Sequence, residues 1–334
     1  MRGIGGTARP MAVARRDERT AFVAEVVQPA RVVALRALAL VLCSLRLIVA
    51  HRTHSTGLRP PAQRATRRQR QERPPSARRA FGMSTPGITI DDRDGVRHVV
   101  LDRPEKKNAL TAAMYAAMAA AIASAAADGV GAILIAGRGS AFTAGNDLRD
   151  FLDHPPHGDD APVFDFLLAL ATTDVPIVAA VRGPAIGVGT TMLLHCDLVY
   201  AAPTARFKVP FVDLGLVPEA GSSVLLPRRI GRARAGAAFF LGEAMDAETA
   251  HAIGIVTALI DDAALDETAE SVAAAIAAKP RAAVRETKRL LIASDRDEIV
   301  AAIRRESAAF RERLASDEAR AAMASFFQGS GARG

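Results

Sequence analysis

Glu219 stands in a stretch that otherwise consists almost entirely of apolar and small residues, PFVDLGLVPEAGSSVLLP at 210–227. Burial among Leu216, Val217 and Leu225 would raise the pKa of this carboxyl group, because an apolar environment disfavours the charged form. Such a group can both take and return a proton near neutral pH. One use of Glu219 is therefore acid–base chemistry, and the other is to stabilise the N-terminus of the helix that AGSSVLLP predicts.

Two other acids, Asp213 and Asp147, lie in segments that could form part of a catalytic site, and we interpret both as structural residues. Asp213, in the same stretch as Glu219, is interpreted as a structural or ion-paired residue. Asp147 follows a glycine turn, AGNDL, where an aspartate side chain commonly accepts hydrogen bonds from nearby backbone NH groups. Glu219 is thus the strongest candidate for moving a proton.

Two glycine-containing turns each follow a predicted buried strand. GSAFTAGNDLRDF, at 139–151, follows AILIAG, and GPAIGVGTTMLLHCD, at 183–197, follows IVAAV. A strand that runs through small residues into a helix leaves backbone NH groups unpaired. If the turns converge, one NH from each can bind a developing oxyanion, worth about 3 kcal/mol per donor in acyl chemistry. Taken singly, each turn is more simply explained as a connection.

The elements that position these turns are short apolar strands separated by helices. A strand hairpin with a turn at Asp94-Gly95 is predicted from Ile88 onward, followed by a helix that Thr111 caps and Gly129 ends. The apolar segments GAILIAG, VPIVAAVRG, DLVYAA and GIVTALI are predicted strands. Since such strands are buried on both faces, the fold class is α/β. After Gly231 the remaining pattern is helical.

Five segments, in order, resemble the crotonase superfamily, the enoyl-CoA hydratases and isomerases. They are LDRPEKKNAL, AFTAGNDLRDF, GPAIGVGTTMLLHCDLVYAA, ARFKVPFVDLGLVPEAGSSVLLPRRIG and AETAHAIGIV, within residues 87–327. The resemblance implies a crotonase-like ββα spiral core at 83–285 and a helical C-terminal region at 286–334 that mediates trimerisation. It also implies a homotrimer or a dimer of trimers, and an acyl-CoA substrate whose thioester oxygen is held by two backbone NH groups.

Carried over residue by residue, the resemblance assigns the oxyanion donors to the NH groups of Asn146 and Val188. Members with hydratase activity carry two glutamates that hold and activate water, and the matching positions here are Thr191 and Phe211. Glu219 matches the single catalytic acid of the peroxisomal-type 3-enoyl-CoA isomerases. Substrate contacts are expected from Ala144, Asp147, Leu148, Arg149, Gly187, Thr191 and Phe211.

The resemblance therefore favours an isomerase that converts 3-enoyl-CoA to trans-2-enoyl-CoA, as in the β-oxidation of unsaturated fatty acids. An enoyl-CoA hydratase is the alternative. The chain contains no P-loop and no G-x-G-x-x-G, so ATP and NAD are not implied. No cofactor is expected beyond the coenzyme A of the substrate. The histidines show no metal-ligand spacing, so no metal is expected.

The basic character of the chain belongs to its first 82 residues. They contain 17 Arg, no Lys and four acids, hence a net charge of +13; since the whole chain carries +7, the other 252 residues carry −6. We expect this Arg-rich extension to be disordered or absent from the native protein, with Met83 as the true start. A targeting segment is the alternative, because the extension is rich in Arg and poor in acids. An RNA-binding crotonase homologue is a further alternative, but it needs this extension, so a nucleic-acid partner is not favoured.

Two observations bear on location. The run at 32–50 is interrupted by Arg36 and Arg46, which oppose a membrane helix, so no membrane partner is expected. Cys43 and Cys196 provide no disulfide framework. A cytoplasmic location is therefore expected.

Overall fold

A strand hairpin opens the part of the chain described by this computed structural model, residues 82–331 apart from 154, 157, 159 and 160. Strands β1 (Gly82–Thr85), β2 (Ile88–Arg93) and β3 (Val96–Leu101) pair antiparallel in succession. Asp94 and Gly95 between β2 and β3 have φ angles of 50° and 80°. Two left-handed residues suit the tight turn of a hairpin, so the predicted hairpin is confirmed.

The hairpin continues into a seven-stranded sheet through four further strands, which are β4 (Ala132–Gly137), β5 (Ile177–Val181), β7 (Leu198–Ala201) and β10 (Ala258–Leu259). The strand order is β1-β2-β3-β4-β5-β7-β10, and every pair from β3 onward is parallel. All residues of β5 are buried, as predicted for a sheet covered on both faces.

A second, three-stranded sheet consists of β6 (Pro184–Ile186), β8 (Arg206–Lys208) and β9 (Met245–Asp246), in the order β6-β8-β9. β6 lies within the second glycine turn, where the sequence predicted no strand. It pairs parallel with β8, and β8 pairs antiparallel with β9. This small sheet joins the second turn to the segment that leads towards Glu219.

Eleven α-helices occur in the described residues. They are α1 (Ala112–Ser124), α2 (Leu148–Asp153), α3 (Pro162–Thr172), α4 (Val188–Thr191), α5 (Ser222–Ile230), α6 (Arg232–Phe240), α7 (Ala247–Ala252), α8 (Leu265–Ala277), α9 (Arg281–Ile292), α10 (Arg296–Leu314) and α11 (Asp317–Gly331). Thr111 accepts a hydrogen bond from the backbone NH of Met114, which confirms the predicted cap of α1.

Helices pack through apolar residues against both faces of the seven-stranded sheet. On one face α8 packs Leu265, Ala269, Ala273 and Ala277, spaced by four residues, against alternate residues of β4 and β5. On the other face α1 and α3 form the larger core with the intervening residues of the same strands. The small residues of α8 permit a close approach of helix and sheet. The catalytic candidates lie on the side of the larger core.

Three sequence expectations need comment. GIVTALI was predicted to be a strand, but only Ala258 and Leu259 pair, as β10. The predicted boundary between residues 285 and 286 falls inside α9. The expectations for residues 1–81 lie outside the described residues, and within those described no helix is long and apolar enough to cross a bilayer.

Candidate active site

The two glycine turns lie side by side and are joined by their backbones. The NH of Thr143 donates to the carbonyl of Pro184 at 3.0 Å, and the NH of Ile186 donates back to the carbonyl of Thr143 at 3.0 Å. Gly145 has a φ of 87°, and a Cβ there would lie 2.7 Å from the carbonyl oxygen of Ile186. The close approach of the turns therefore requires glycine at position 145.

The convergence brings together the two backbone NH groups expected to bind an oxyanion. Within the described residues, neither the NH of Asn146 nor that of Val188 donates a hydrogen bond. The neighbouring NH groups are occupied: Asp147 donates to the carbonyl of Leu110 at 2.9 Å, and Gly187 donates to that of Lys208 at 2.8 Å. Two free NH groups on adjacent turns can stabilise a developing negative charge.

Both turns face a cavity of about 1190 Å³. Its lining includes these residues expected at the site: Ala144, Asn146, Asp147, Leu148, Arg149, Gly187, Val188 and Phe211. The last two helices also contribute, through Phe310 of α10 and through Ala322, Ser325 and Phe326 of α11. The sequence did not predict the contributions of α10 and α11.

The lining of the cavity contains the acids Asp147, Asp150, Asp153 and Asp213 as well as five basic side chains. The basic ones, here called the basic wall, are Arg103, Lys106, Lys107, Arg149 and Lys208. Arg103 is held by Asp147, at 3.1 Å between Nη1 and Oδ2. Lys208 pairs with Asp213 at 3.2 Å, as the interpretation of Asp213 as an ion-paired residue predicted. Side chains of this kind suit the phosphate groups of an anionic ligand.

Asp147 has the structural contacts that its turn position predicted. Its Oδ1 accepts hydrogen bonds from the backbone NH groups of Arg149 at 3.2 Å and Asp150 at 3.4 Å. These donors lie in the first turn of α2, which otherwise lacks partners for them. Asp147 thus fixes the start of α2 and, through Arg103, part of the basic wall.

Glu219 is 4% exposed and lies between the second turn and α10. The hydroxyl of Thr191 donates to its Oε1, whereas Oε2 has no partner among the described residues. Burial raises the pKa of Glu219 to about 8; the hydrogen bond from Thr191 opposes this rise, and the charge of Glu306 adds to it. The raised pKa expected from the apolar surroundings is thus reproduced.

Glu219 and Thr191 do not line the cavity. The cavity is lined instead by Leu216, three residues before Glu219, and by Val188, three residues before Thr191. Thr191 was expected to contact the substrate, but it is fully buried and contacts Glu219 instead. Phe211 is 5% exposed and presents an apolar ring to the cavity. The carboxyl group therefore lies behind the cavity wall, and the wall near it is apolar.

The peptide that follows Glu219 has an unusual conformation. Ala220 and Gly221 have φ angles of 62° and 68°, both left-handed. For alanine this conformation costs about 1 kcal/mol, because its Cβ approaches a carbonyl oxygen. Two partners hold it: the ring of His195 contacts the Ala220 carbonyl through Nε2 at 2.7 Å, and Glu306 accepts from the Gly221 NH at 2.6 Å.

Three residues of this region were missed by the sequence analysis. Tyr115 is fully buried on α1, and its hydroxyl donates to the side-chain oxygen of Asn146. The histidines, His195 among them, were considered only as possible metal ligands, and Glu306 was not considered. Their partners lie 25 to 85 residues away in the chain, so no local pattern could have indicated them.

The comparisons with known proteins agree with this architecture. Residues 91–330 match the family model for enoyl-CoA hydratase/isomerase. The chain belongs to the enoyl-CoA hydratase/isomerase family. The fold is that of the crotonases: a solved enoyl-CoA hydratase/isomerase from Pseudoalteromonas atlantica is 40% identical, with a TM-score of 0.70 over 73% of this chain and 97% of that one.

Relatives named as isomerases and relatives named as hydratases have similar sequence identities to this chain. Enoyl-CoA delta isomerase 2 of Homo sapiens is 30% identical over 77% of this chain and 66% of its own length. A probable enoyl-CoA hydratase of Mycobacterium leprae is 32% identical over 72% of this chain and 95% of its own length. The chain thus spans just under two thirds of the human isomerase.

Proposed function

We propose that this protein is a 3-enoyl-CoA isomerase, which moves a double bond from C3 to C2 with Glu219 as the single proton carrier. The Glu219 carboxylate takes a proton from C2, and the electrons move into a dienolate whose charge resides on the thioester oxygen. The resulting carboxylic acid returns the proton to C4. No atom is gained or lost, so one acid–base group suffices.

The observation that carries the proposal is a buried carboxyl group, Glu219, whose Oε2 has no partner among the described residues and whose Oε1 contacts Thr191, three residues after the Val188 donor. The NH groups of Asn146 and Val188 are placed on adjacent turns and can bind the dienolate oxygen. The positions that hold water-activating glutamates in hydratases are Thr191 and Phe211 here. A threonine and a phenylalanine cannot act as a general base at neutral pH.

The cavity supports an acyl-CoA substrate. Its basic wall suits the phosphates of coenzyme A, and its volume of about 1190 Å³ admits a ligand longer than an acyl chain alone. Because Glu219 lies behind Val188 and Leu216, the proposal requires that the acyl chain part this wall to reach the carboxylate. The chemistry proposed needs no metal and no cofactor beyond the coenzyme A of the substrate.

The experiment uses the full chain with 3-hexenoyl-CoA and, separately, 2-hexenoyl-CoA, and follows the absorbance of the conjugated thioester. An isomerase produces this absorbance from the first substrate and leaves the second almost unchanged. Loss of absorbance from the second substrate at a comparable rate would contradict the proposal, because it would show that water is activated without the usual glutamates.

A hydratase is the second candidate because of the similarity to the Mycobacterium leprae protein over nearly all of its length. The same two assays separate the candidates. A homotrimer or dimer of trimers, and a cytoplasmic location, remain predictions. The RNA-binding alternative depends on residues outside the described part of the chain.

A further inference from the structure

The turn that carries Glu219 is held at the Ala220–Gly221 peptide group by two residues, one from the second glycine turn and one from α10. His195 belongs to the short 3-10 helix Met192–His195, and Glu306 belongs to α10. Oε2 of Glu306 accepts from the Gly221 NH at 2.6 Å, and Oε1 accepts from the NH of Ser223 at 3.0 Å and from its hydroxyl. A partly buried helix start thus receives a carboxylate cap from another helix.

His195 contacts the carbonyl oxygen of the same peptide group, that of Ala220. Burial lowers the pKa of His195 to about 4, so its ring is neutral at pH 7. Because the partner of Nε2 is the carbonyl oxygen of Ala220, the hydrogen-bond network assigns the ring proton to Nε2. The carbonyl of Ala220 and the NH of Gly221 belong to one peptide unit, so His195 and Glu306 hold its two ends.

The packing around this peptide leaves little room for adjustment. Ala220 is fully buried, and a Cβ at Gly221 would meet Ile299 of α10 at 3.1 Å. The Glu219 carbonyl itself accepts from the NH of Ser222 at 3.0 Å. The backbone on the C-terminal side of Glu219 is therefore fixed, and the carboxyl group is directed towards Thr191.

We propose that Glu306 and His195 are positioning residues, which hold the Ala220–Gly221 peptide in its left-handed conformation and thereby aim the Glu219 carboxyl group at the reacting carbons. This inference rests on the proposed function of Glu219. Neither residue lines the cavity. Their effect is therefore on the placement of the base and not on contacts with the substrate.

Glu306 has a second, electrostatic effect that a purely structural residue would lack. Among the described residues, Tyr115 of α1 and Glu306 interact electrostatically with Glu219. Lys288 and Arg229 act in the same way on His195, and Arg305 acts on Glu306. The negative charge of Glu306 contributes to the raised pKa of Glu219. Removal of that charge should lower the pKa of Glu219, and the pH at which the base becomes active should fall with it.

The test compares Glu306→Gln with Glu312→Gln, which removes the same charge from an exposed position of the same helix. We expect Glu306→Gln to lower the limiting kcat about 10- to 100-fold with little change in KM, since small misplacement of a reacting group is costly. The midpoint of its pH profile should move to lower pH. Equal effects of both substitutions, or an unchanged kcat and pH profile in Glu306→Gln, would overturn the proposal.

A second pair of variants tests the contact of His195 with the Ala220 carbonyl. It keeps the proposal testable if Glu306→Gln does not fold. His195→Gln keeps an NH donor within reach of the Ala220 carbonyl, whereas His195→Ala removes it. We expect His195→Ala to lose roughly tenfold in kcat and His195→Gln to regain most of this loss. Equal kcat values for these two variants would overturn the role of His195.

A measurement without substrate separates this inference from the proposed function. The ionisation of Glu219 can be followed by infrared titration, with its band assigned by Glu219→Gln. A lower midpoint in Glu306→Gln than in Glu312→Gln supports the inference even if the wild-type protein has no isomerase activity. An unchanged midpoint overturns the electrostatic part whatever the activity.

Discussion

The hydroxyl of Thr191 donates a hydrogen bond to Oε1 of Glu219 and leaves Oε2 of that carboxyl group without a partner among the described residues. One oxygen is thus anchored, and the other is the atom available to exchange a proton. Under the proposed function, Thr191 stands where a hydratase would carry a water-activating glutamate, and its hydroxyl orients Glu219 instead.

Glu219→Gln should lower kcat by about 10²- to 10⁴-fold, because the amide cannot accept the C2 proton, while the similar shape preserves the fold. Steady-state assays with 3-hexenoyl-CoA measure this loss. Asp213→Asn is the matched control, since Asp213 is the rival acid of the same segment and pairs with Lys208. A larger loss in Asp213→Asn than in Glu219→Gln would reassign the base.

The rate should depend on pH through Glu219. With a pKa of about 8, only a small fraction of the group is ionised at pH 6, so kcat should rise about tenfold per pH unit and level off above pH 8. A pH series of initial rates measures this profile. A plateau that already begins near pH 5 would contradict the raised pKa.

The free energy of unfolding should also depend on pH through Glu219, and it should fall as the pH rises. Burial raises the folded-state pKa of Glu219 to about 8, above its usual value of 4.5, so folding is more favourable when the carboxyl group is protonated. This contribution is complete below pH 4.5 and is lost as the pH rises through 8. Relative to Glu219→Gln, the wild type should therefore lose a few kcal/mol of unfolding free energy between pH 5 and pH 9.

Urea unfolding of both proteins at pH 5 and pH 9 measures this difference, and the comparison cancels the contributions of titrating groups that do not interact with Glu219. A constant difference between the two proteins at both pH values would be inconsistent with a buried, neutral Glu219.

Phe211→Ala should increase hydration relative to isomerisation, because removal of the ring opens space for water in the apolar wall. The substitution should also lower the free energy of unfolding by about 3 kcal/mol. Phe211→Leu, which keeps an apolar side chain, is the control. The ratio of 2-hexenoyl-CoA loss to 3-hexenoyl-CoA isomerisation measures the effect; an unchanged ratio in Phe211→Ala would show that the ring does not exclude water.

Tyr115→Phe should lower kcat roughly fivefold, since it removes a hydrogen bond worth about 1 kcal/mol to the Asn146 side chain and loosens the first oxyanion turn. Tyr200→Phe is the natural control, because Tyr200 is the only other tyrosine of the chain and lies on β7. If both variants retain the wild-type kcat, the Tyr115 hydroxyl does not support the turn.

The sequence predicted those parts of the site that depend on local pattern. The strands before the two turns, the glycines within them and the apolar surroundings of Glu219 are each visible in a window of about ten residues. The position of Glu219 behind the cavity wall was not predicted, because it depends on how Leu216 and Val188 pack. The contact between Glu306 and Gly221 joins residues 85 apart, for which a single sequence carries no signal.

The separation of the Asn146 and Val188 donors is set by the paired hydrogen bonds between Thr143 and the Pro184–Ile186 strand, all of them between backbone atoms. Side chains around the cavity can therefore change without displacing the two NH groups that we propose to bind the oxyanion. Under the proposed function, an acid at position 219 with none at positions 191 and 211 would alter the proton transfers and leave the binding of the thioester oxygen as it is.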